Sequence, residues 1–336
     1  MDLAQRDEYL ILMQSFFAHE VRPRFESDWP VTQTAYERLG TDDVELIERR
    51  VGDVYGDTEQ QALQRWKDAS FPHYRREILR YGCSVETELL QRKTLMTPAN
   101  PPAEVHSMMR NSVFAGDLYS GDMIVAALKR AGIDLIDHAS YLDFGCSSGA
   151  LVRNLAAAFP GSRWHGCDPV QDSVAWASQN ISGVDFYNNA QQPPLAYPDR
   201  FFNGAYAVSI WSHFSERAAL AWFEEMYRLI SPGGFLVFTT HGIRSIYYYL
   251  SEDKILFDTA KSLMRDVSET GYGFQPVWEN TSKEADFLET SDWGNAYFTL
   301  GWVMQHLGLK WRVRDYLPGI NQCNQDIYVL QRMQER

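Results

Sequence analysis

Apolar positions in the first hundred residues recur at three- and four-residue steps. Tyr9, Leu10, Met13, Phe16 and Phe17 form one series; Ala62, Leu63 and Trp66, followed by Tyr74, Ile78 and Leu79, form another. That period puts apolar side chains on one helical face, so the pattern predicts a helical region over residues 1–100. Pro98, Pro101 and Pro102 cannot continue a helix and mark its end.

Beyond this break, short apolar runs alternate with helical stretches. The runs 141–144, 164–167, 184–187, 205–210 and 235–240 read as strands, and 150–159, 172–180 and 218–230 as helices. Alternation of this kind implies a parallel sheet covered by helices. Two last strand candidates, 310–316 and 326–331, flank the turn-rich Pro318-Gly319-Ile320-Asn321-Gln322, which predicts an antiparallel hairpin closing the sheet. The fold class expected is therefore α/β, Rossmann-like, with an N-terminal helical region.

Composition narrows the function. A net charge of −13 opposes phosphate backbones, so a nucleic-acid partner is not expected. No run of about 18 apolar residues occurs, so no membrane partner is expected. The N-terminus does not read as a signal peptide. Cys83, Cys146, Cys167 and Cys323 form no paired metal-ligand motif, and the histidines are scattered, so no metal is expected. A cytoplasmic location follows from these readings. Aromatics make up 14% of the chain, enough to fill a core and to line a pocket for a flat or sugar-like ligand.

The strongest local signal is Tyr141-Leu142-Asp143-Phe144-Gly145-Cys146-Ser147-Ser148-Gly149-Ala150. An apolar strand enters a turn of small residues and leaves as a helix, which lets the backbone approach a ligand closely. Asp143 stands just before the turn, where a carboxylate suits a cationic group. Asp168 ends the next strand, about 20 residues on, where a doubly wound fold places an acceptor for ribose hydroxyls. A nicotinamide dinucleotide needs a second glycine for its pyrophosphate, and Ser147 stands there instead. S-adenosylmethionine has no pyrophosphate, and its ammonium and sulfonium suit an acidic site.

The segment LDFGCSSG resembles the first motif of class I S-adenosylmethionine-dependent methyltransferases. Gly166-Cys167-Asp168, then PPLAYPDRFFNGAYAVSIWSHFSE, then LISPGGFLVFTTHG follow in that family's order. The series resembles a bacterial group acting on small substrates. It covers residues 106–336 and implies a seven-stranded sheet with an antiparallel last strand.

The resemblance implies that Asp143, Gly145, Cys146, Ser147 and Gly149 hold the methionine part of S-adenosylmethionine. Asp168 would hold the ribose, with Pro169 and Val170 beside the adenine. Asn189 and Ala190 stand where many members have Asp-Ala, and Ser209 lies where strand four passes the cofactor. Arg110 is a candidate for the cofactor carboxylate. The chain departs from the family pattern at Ser147, at Asn189 and at Asn203, which stands where an Asp usually precedes strand four.

A methyl sulfonium is already activated, so the remaining tasks are alignment and, for a hydroxyl nucleophile, proton removal. His213 and His241 follow apolar strands at their carboxyl ends and are the candidate bases. The insertion over 243–300, with Tyr247, Tyr248, Tyr249, Trp278, Trp293 and Tyr297, is placed to cover an acceptor pocket. The function expected is methyl transfer to a small-molecule or sugar-like acceptor, at oxygen with a histidine base. N-methylation and a non-catalytic cofactor-binding scaffold are the alternatives. The N-terminal helices are read as a lid or as the contact of a homodimer.

Overall fold

The computed structural model describes residues 3–15, 29–103, 105, 116–276, 290–321 and 324–334. Arg110, Phe16, Phe17, Trp278, Gln322 and Cys323 lie outside them. The chain forms two compact units, one of residues 24–189 and one of residues 1–23 with 190–336.

The 24–189 unit begins with helices α2 (Pro30–Tyr36), α3 (Thr41–Tyr55), α4 (Asp57–Ala69), α5 (Phe71–Val85) and α6 (Thr87–Thr94), numbered after α1 (Leu3–Ser15) of the other unit. In α3 the buried Val44, Ile47 and Val51 follow the expected spacing. Asp42 and Asp43 sit in its first turn, where the helix dipole favours negative charge. The Asp43 carboxylate also accepts the Gly40 N–H at 2.8 Å. A Cβ at Gly82 of α5 would lie 2.9 Å from Leu90 of α6, so glycine permits their close packing. Residues 95–102 carry no regular element, in keeping with their prolines.

Helix α7 (Leu118–Arg130) is capped by Asp117, which accepts the Ser120 N–H. There follow β1 (Ser140–Phe144), α8 (Val152–Ala158), β2 (Arg163–Asp168), α9 (Gln171–Asn180) and β3 (Val184–Asn188). Strand β2 lies between β1 and β3 and is parallel to both, pairing Phe144 with Cys167 and Asp168 with Asn188. The β–α alternation read from the sequence here is present, with each element within a few residues of its expected bounds.

In the other unit, α1 packs its buried Met13 with Ile246, Leu250 and Leu263, and Tyr9 meets Phe257 edge-on at 5.4 Å. The unit continues with β4 (Phe202–Ala207), α10 (Glu216–Leu229), β5 (Ile230–His241), α11 (Ile243–Ser251), α12 (Phe257–Thr270), β6 (Tyr272–Pro276), β7 (Gly294–Phe298), α13 (Leu300–Leu307), β8 (Trp311–Asn321) and β9 (Gln325–Arg332). Strands β4 and β5 are parallel; β9 runs antiparallel to both β5 and β8. The closing antiparallel hairpin is therefore present. Its core stacks Phe238 on Tyr328 at 4.9 Å and Trp211 on Phe223 at 4.7 Å.

Three local expectations are corrected. The fourth strand covers 202–207 rather than 205–210, because its ladder with β5 already begins at Phe202, and Ser209 turns out of it with a φ of 61°. Pro318 to Asn321 belong to β8 rather than to the turn; the ladder with β9 is irregular between Leu317 and Asn321, which accommodates Pro318 and Gly319. The insertion supplies two strands of its own, β6 and β7, paired antiparallel. Among the described residues the strands thus number nine.

Asp122 of α7 is buried and accepts the Val31 and Thr32 N–H groups at 2.8 and 2.9 Å, the Thr32 hydroxyl at 2.6 Å and Arg76 Nη2 at 2.9 Å. The Arg76 guanidinium in turn lies 3.3 Å over the Trp29 ring. Removing the carboxylate strands a cation and two amides, at a cost of about 3 kcal/mol. Asp122→Ala is therefore expected to lower unfolding stability by about that amount in urea titration. A loss within experimental error would show that this cluster does not tie α2 to α7.

Candidate functional site

The turn after β1 is built by backbone conformation. Gly145 and Gly149 have φ of 79° and 75°, in the left-handed region that glycine enters without strain. A Cβ on Gly149 would lie 2.7 Å from Ile181 and 2.8 Å from Phe186, so the helix can enter here only without a side chain. The Gly145 and Cys146 N–H groups both donate to the Cys167 carbonyl, at 2.9 and 3.0 Å, tying the turn to β2.

Ser147 also has a positive φ, 48°, which is unfavourable for a residue with a Cβ. Its N–H donates to Asp168 Oδ2 at 2.8 Å. Asp168 Oδ1 accepts the Val170 N–H, also at 2.8 Å, and the Asp168 carbonyl accepts the Asn189 N–H at 3.2 Å. The expected residues Gly145, Cys146, Ser147, Gly149, Asp168, Val170 and Asn189 are thus joined in one hydrogen-bonded arrangement. Pro169 continues the chain from Asp168 and is half-buried; Ala190, next to Asn189, is exposed.

Asp143 lies under this turn, 2% exposed. Burial, the neighbouring Asp168 charge and Asp117 push its carboxyl well above the usual range, while the Val152 N–H partly offsets them. Its Oδ2 has no hydrogen-bond partner among the described residues. A buried acceptor without a donor suits a cationic ligand, which fits the ammonium of the expected cofactor. The Cys146 thiol is pushed well up by burial and by Asp168, so it stays protonated and is no nucleophile.

In the unit of residues 190–336, Ser209, His213 and His241 lie in one polar cluster. Gln325 Oε1 accepts the Ser209 and Thr239 hydroxyls at 3.0 and 2.7 Å and Asn321 Nδ2 at 3.0 Å. Gln325 Nε2 points at His241 Nε2, 3.4 Å away, and the Tyr249 hydroxyl lies 3.1 Å from the same nitrogen. Two donors on Nε2 make it an acceptor. His241 is buried, and burial with the nearby His213 lowers it to about 3, the Ala296 carbonyl acting in the opposite sense. It is neutral at physiological pH.

His213 ends a single 3₁₀ turn, Trp211–His213. Its ring stacks on Trp293 at 4.8 Å and lies 6.3 Å from that of His241. Nδ1 is 2.8 Å from the Gly294 carbonyl, which can only accept, so Nδ1 carries the proton and Nε2 keeps its lone pair. Burial lowers its pKa, with the Gly294 contact acting the other way. The supporting loop is pinned where Ser215 donates its hydroxyl to Asp292 at 2.5 Å and its N–H to the Asp292 carbonyl at 3.0 Å.

Sequence reading missed Tyr249 and Gln325 as members of this cluster; a pairing register between β5 and β9 brings Gln325 opposite His241, and no local motif records it. Among the described residues no group of three His, Cys, Asp or Glu side chains is placed to hold a metal ion, and no helix is long and apolar enough to cross a membrane.

Burial raises Asp168 to about 6, against the Val170 and Ser147 N–H groups, which lower it. If Asp168 accepts ribose hydroxyls, as the resemblance implies, its ionised form is the binding form, and nucleoside affinity is fully present well above pH 6. It falls as the carboxylate is protonated, approaching about tenfold per pH unit below that point. The unliganded protein changes the other way: the folded state holds this proton more tightly than the unfolded chain, so Asp168's contribution to stability rises as pH falls from about 6 toward 4. Calorimetric titration with S-adenosylhomocysteine between pH 5 and 8 checks the first trend; a flat profile would remove Asp168 from the ligand contacts.

Comparison with known proteins adds an independent line. Residues 142–234 match a family described as a methyltransferase domain, a span that runs from β1 into β5. No curated protein matches the chain. Among solved structures, a methyltransferase from Methanosarcina mazei is 18% identical over 60% of this chain and 95% of its own, with a TM-score of 0.41. One from Clostridium acetobutylicum is 13% identical over 64% and 91%, also with a TM-score of 0.41. Human N-acetylserotonin methyltransferase, in complex with S-adenosylmethionine, is 15% identical over 65% and 53%, with a TM-score of 0.40. The matched span contains the turn and Asp168: residues 142–234 of this chain are similar to a methyltransferase domain.

Proposed function

We propose that the protein transfers the methyl group of S-adenosylmethionine to a hydroxyl of a small, sugar-like acceptor, with His213 as the base and His241 as a positioning residue. The observation that carries this reading is the tautomer of His213. The Gly294 carbonyl fixes the ring proton on Nδ1, and the lowered pKa keeps the ring neutral, so Nε2 stands ready to accept a hydroxyl proton. His241 Nε2 is engaged by Tyr249 and Gln325, which suits orientation better than proton uptake.

The cofactor contacts are assigned to Asp143, Gly145, Cys146, Ser147, Gly149, Asp168, Pro169, Val170, Asn189, Ala190 and Ser209, with Arg110 a further candidate. Bound there, S-adenosylmethionine would supply a methyl whose bond to sulfur breaks as the acceptor oxygen bonds to the carbon, with the electron pair left on sulfur. The hydroxyl proton goes to His213 Nε2. Buried free thiols at Cys83, Cys146 and Cys167 support a reducing, cytoplasmic setting. The helices before residue 100 serve as a lid or as the contact of a homodimer.

An acceptor screen that reads release of S-adenosylhomocysteine tests this. With a hydroxyl acceptor, His213→Ala is expected to lower kcat by about a hundredfold or more, with cofactor affinity within about twofold of the unaltered protein. Unchanged turnover in that variant would dismiss His213 as the base. Turnover confined to amine acceptors would replace O- by N-methylation.

A further inference from the structure

The segments 213–215 and 292–294 run past each other in opposite directions and meet residue by residue. Ser215 donates its hydroxyl to Asp292 Oδ1 at 2.5 Å and its N–H to the Asp292 carbonyl at 3.0 Å. Phe214 and Trp293 pair as an antiparallel bridge, with their rings edge-on at 5.8 Å. Trp293 stacks on the His213 ring, and the Gly294 carbonyl takes the His213 Nδ1 proton. The Asp292 side chain is buried, and its Oδ2 accepts Arg217 Nη2, with Gln192 Nε2 standing 3.4 Å away. Both carboxylate oxygens are therefore held by donors, and Ser215 and Arg217 belong to the stretch that carries His213.

The pairing matters because of the tautomer. A neutral histidine in water favours the proton on Nε2, and in a protein the bond made by one ring nitrogen decides which form is present. A ring with its proton on Nε2 has no lone pair there and cannot take up a second proton at that atom. His213 therefore depends on the Gly294 carbonyl staying at Nδ1. Strand β6 sets Gly294 from one side: Gly294 pairs with Pro276, and a Cβ on it would lie 2.3 Å from the Gln275 carbonyl. Asp292, just upstream, ties the same backbone to the His213 stretch. A carboxylate suits this task, because bonds from Ser215 and a guanidinium to an ionised acceptor are the strong ones. An amide in its place could accept from Ser215 but would present a donor to Arg217.

We propose that Asp292 is a positioning residue for His213: by fixing 292–294 against 213–215 it keeps the His213 proton on Nδ1 and leaves Nε2 free to act as the base. The inference rests on the reading of His213 as the base and adds what selects the competent form of that base. Burial and the Gly294 contact are what shift the proton affinity of His213. Asp292 thus acts through the backbone it holds, by way of Trp293 and Gly294, and not through its charge on the ring.

Long-range proton–nitrogen NMR on protein carrying nitrogen-labelled histidine reads the tautomer directly, with the His213 signals identified by their loss in His213→Ala. The unaltered protein should show His213 protonated on Nδ1 and bare on Nε2. In Asp292→Ala, and in part in Asp292→Asn, the Nε2–H form should appear. On a hydroxyl acceptor kcat should then fall at least about tenfold, with the acceptor KM within about twofold of the unaltered protein. An Nε2–H ring in the unaltered protein overturns the proposal. So does an Nδ1–H signal that persists unchanged in Asp292→Asn, which decides the matter alone if the alanine variant does not fold. Lower thermal stability of the variants with both nitrogen signals unchanged would mark Asp292 as structural and also overturn it. Turnover that survives in His213→Ala defeats the base reading itself, and the Asp292 assignment with it; the nitrogen signals test the Asp292 step without any turnover.

Discussion

One carboxylate organises the turn after β1. Asp168 accepts the N–H groups of Ser147 and Val170 from the two sides of its carboxyl group, so the end of β2 fixes the turn that follows β1. Ser147 keeps its left-handed backbone while that bond holds. The glycines at 145 and 149 supply the remaining positive φ values, and Phe186 and Ile181 close in where Gly149 has no side chain. The arrangement has a cost: burial raises the proton affinity of both Asp143 and Asp168, and the Asp168 charge raises that of Asp143 further. Such strained, poorly satisfied groups are expected where a ligand completes the structure.

The histidine cluster depends on a different constraint, strand register. Pairing of β5 with β9 sets His241 opposite Gln325, and pairing of β5 with β7 sets His241 beside Tyr297, with the rings stacked at 5.1 Å. A slip of one residue would turn these side chains to the other face. Gln325 then fixes Ser209, Thr239 and Asn321 through one oxygen. His213 is set by the backbone of β7 instead, through Gly294. The two histidines therefore differ in kind: one is saturated by donors on Nε2, while the other has its proton fixed on Nδ1.

Much of this was legible in the sequence, for physical reasons. The β–α alternation from Ser140 to Asn188 shows because parallel strands buried on both faces read as apolar runs, separated by helices of another period. Asp143, the glycines and Asp168 show because their spacing follows from one supersecondary unit. The strands β6 and β7 did not show. Tyr272-Gly273-Phe274-Gln275-Pro276 reads as a turn, and its pairing with 294–298 is non-local. Pro318 and Gly319 suggested a turn, yet the irregular ladder keeps them within β8. Tyr249, Gln325 and Asp292 acquire meaning only from partners distant in sequence, so no periodicity or motif announces them.

The most direct measurement is isothermal titration of S-adenosylmethionine and S-adenosylhomocysteine into the purified protein and into Asp168→Ala. Saturable binding of both ligands, weakened by about a hundredfold or more in the variant, is the expected result, because on the proposed reading the substitution removes a ribose acceptor and releases Ser147 together. Equal binding by the two proteins would contradict the role given to Asp168 and the site built around it.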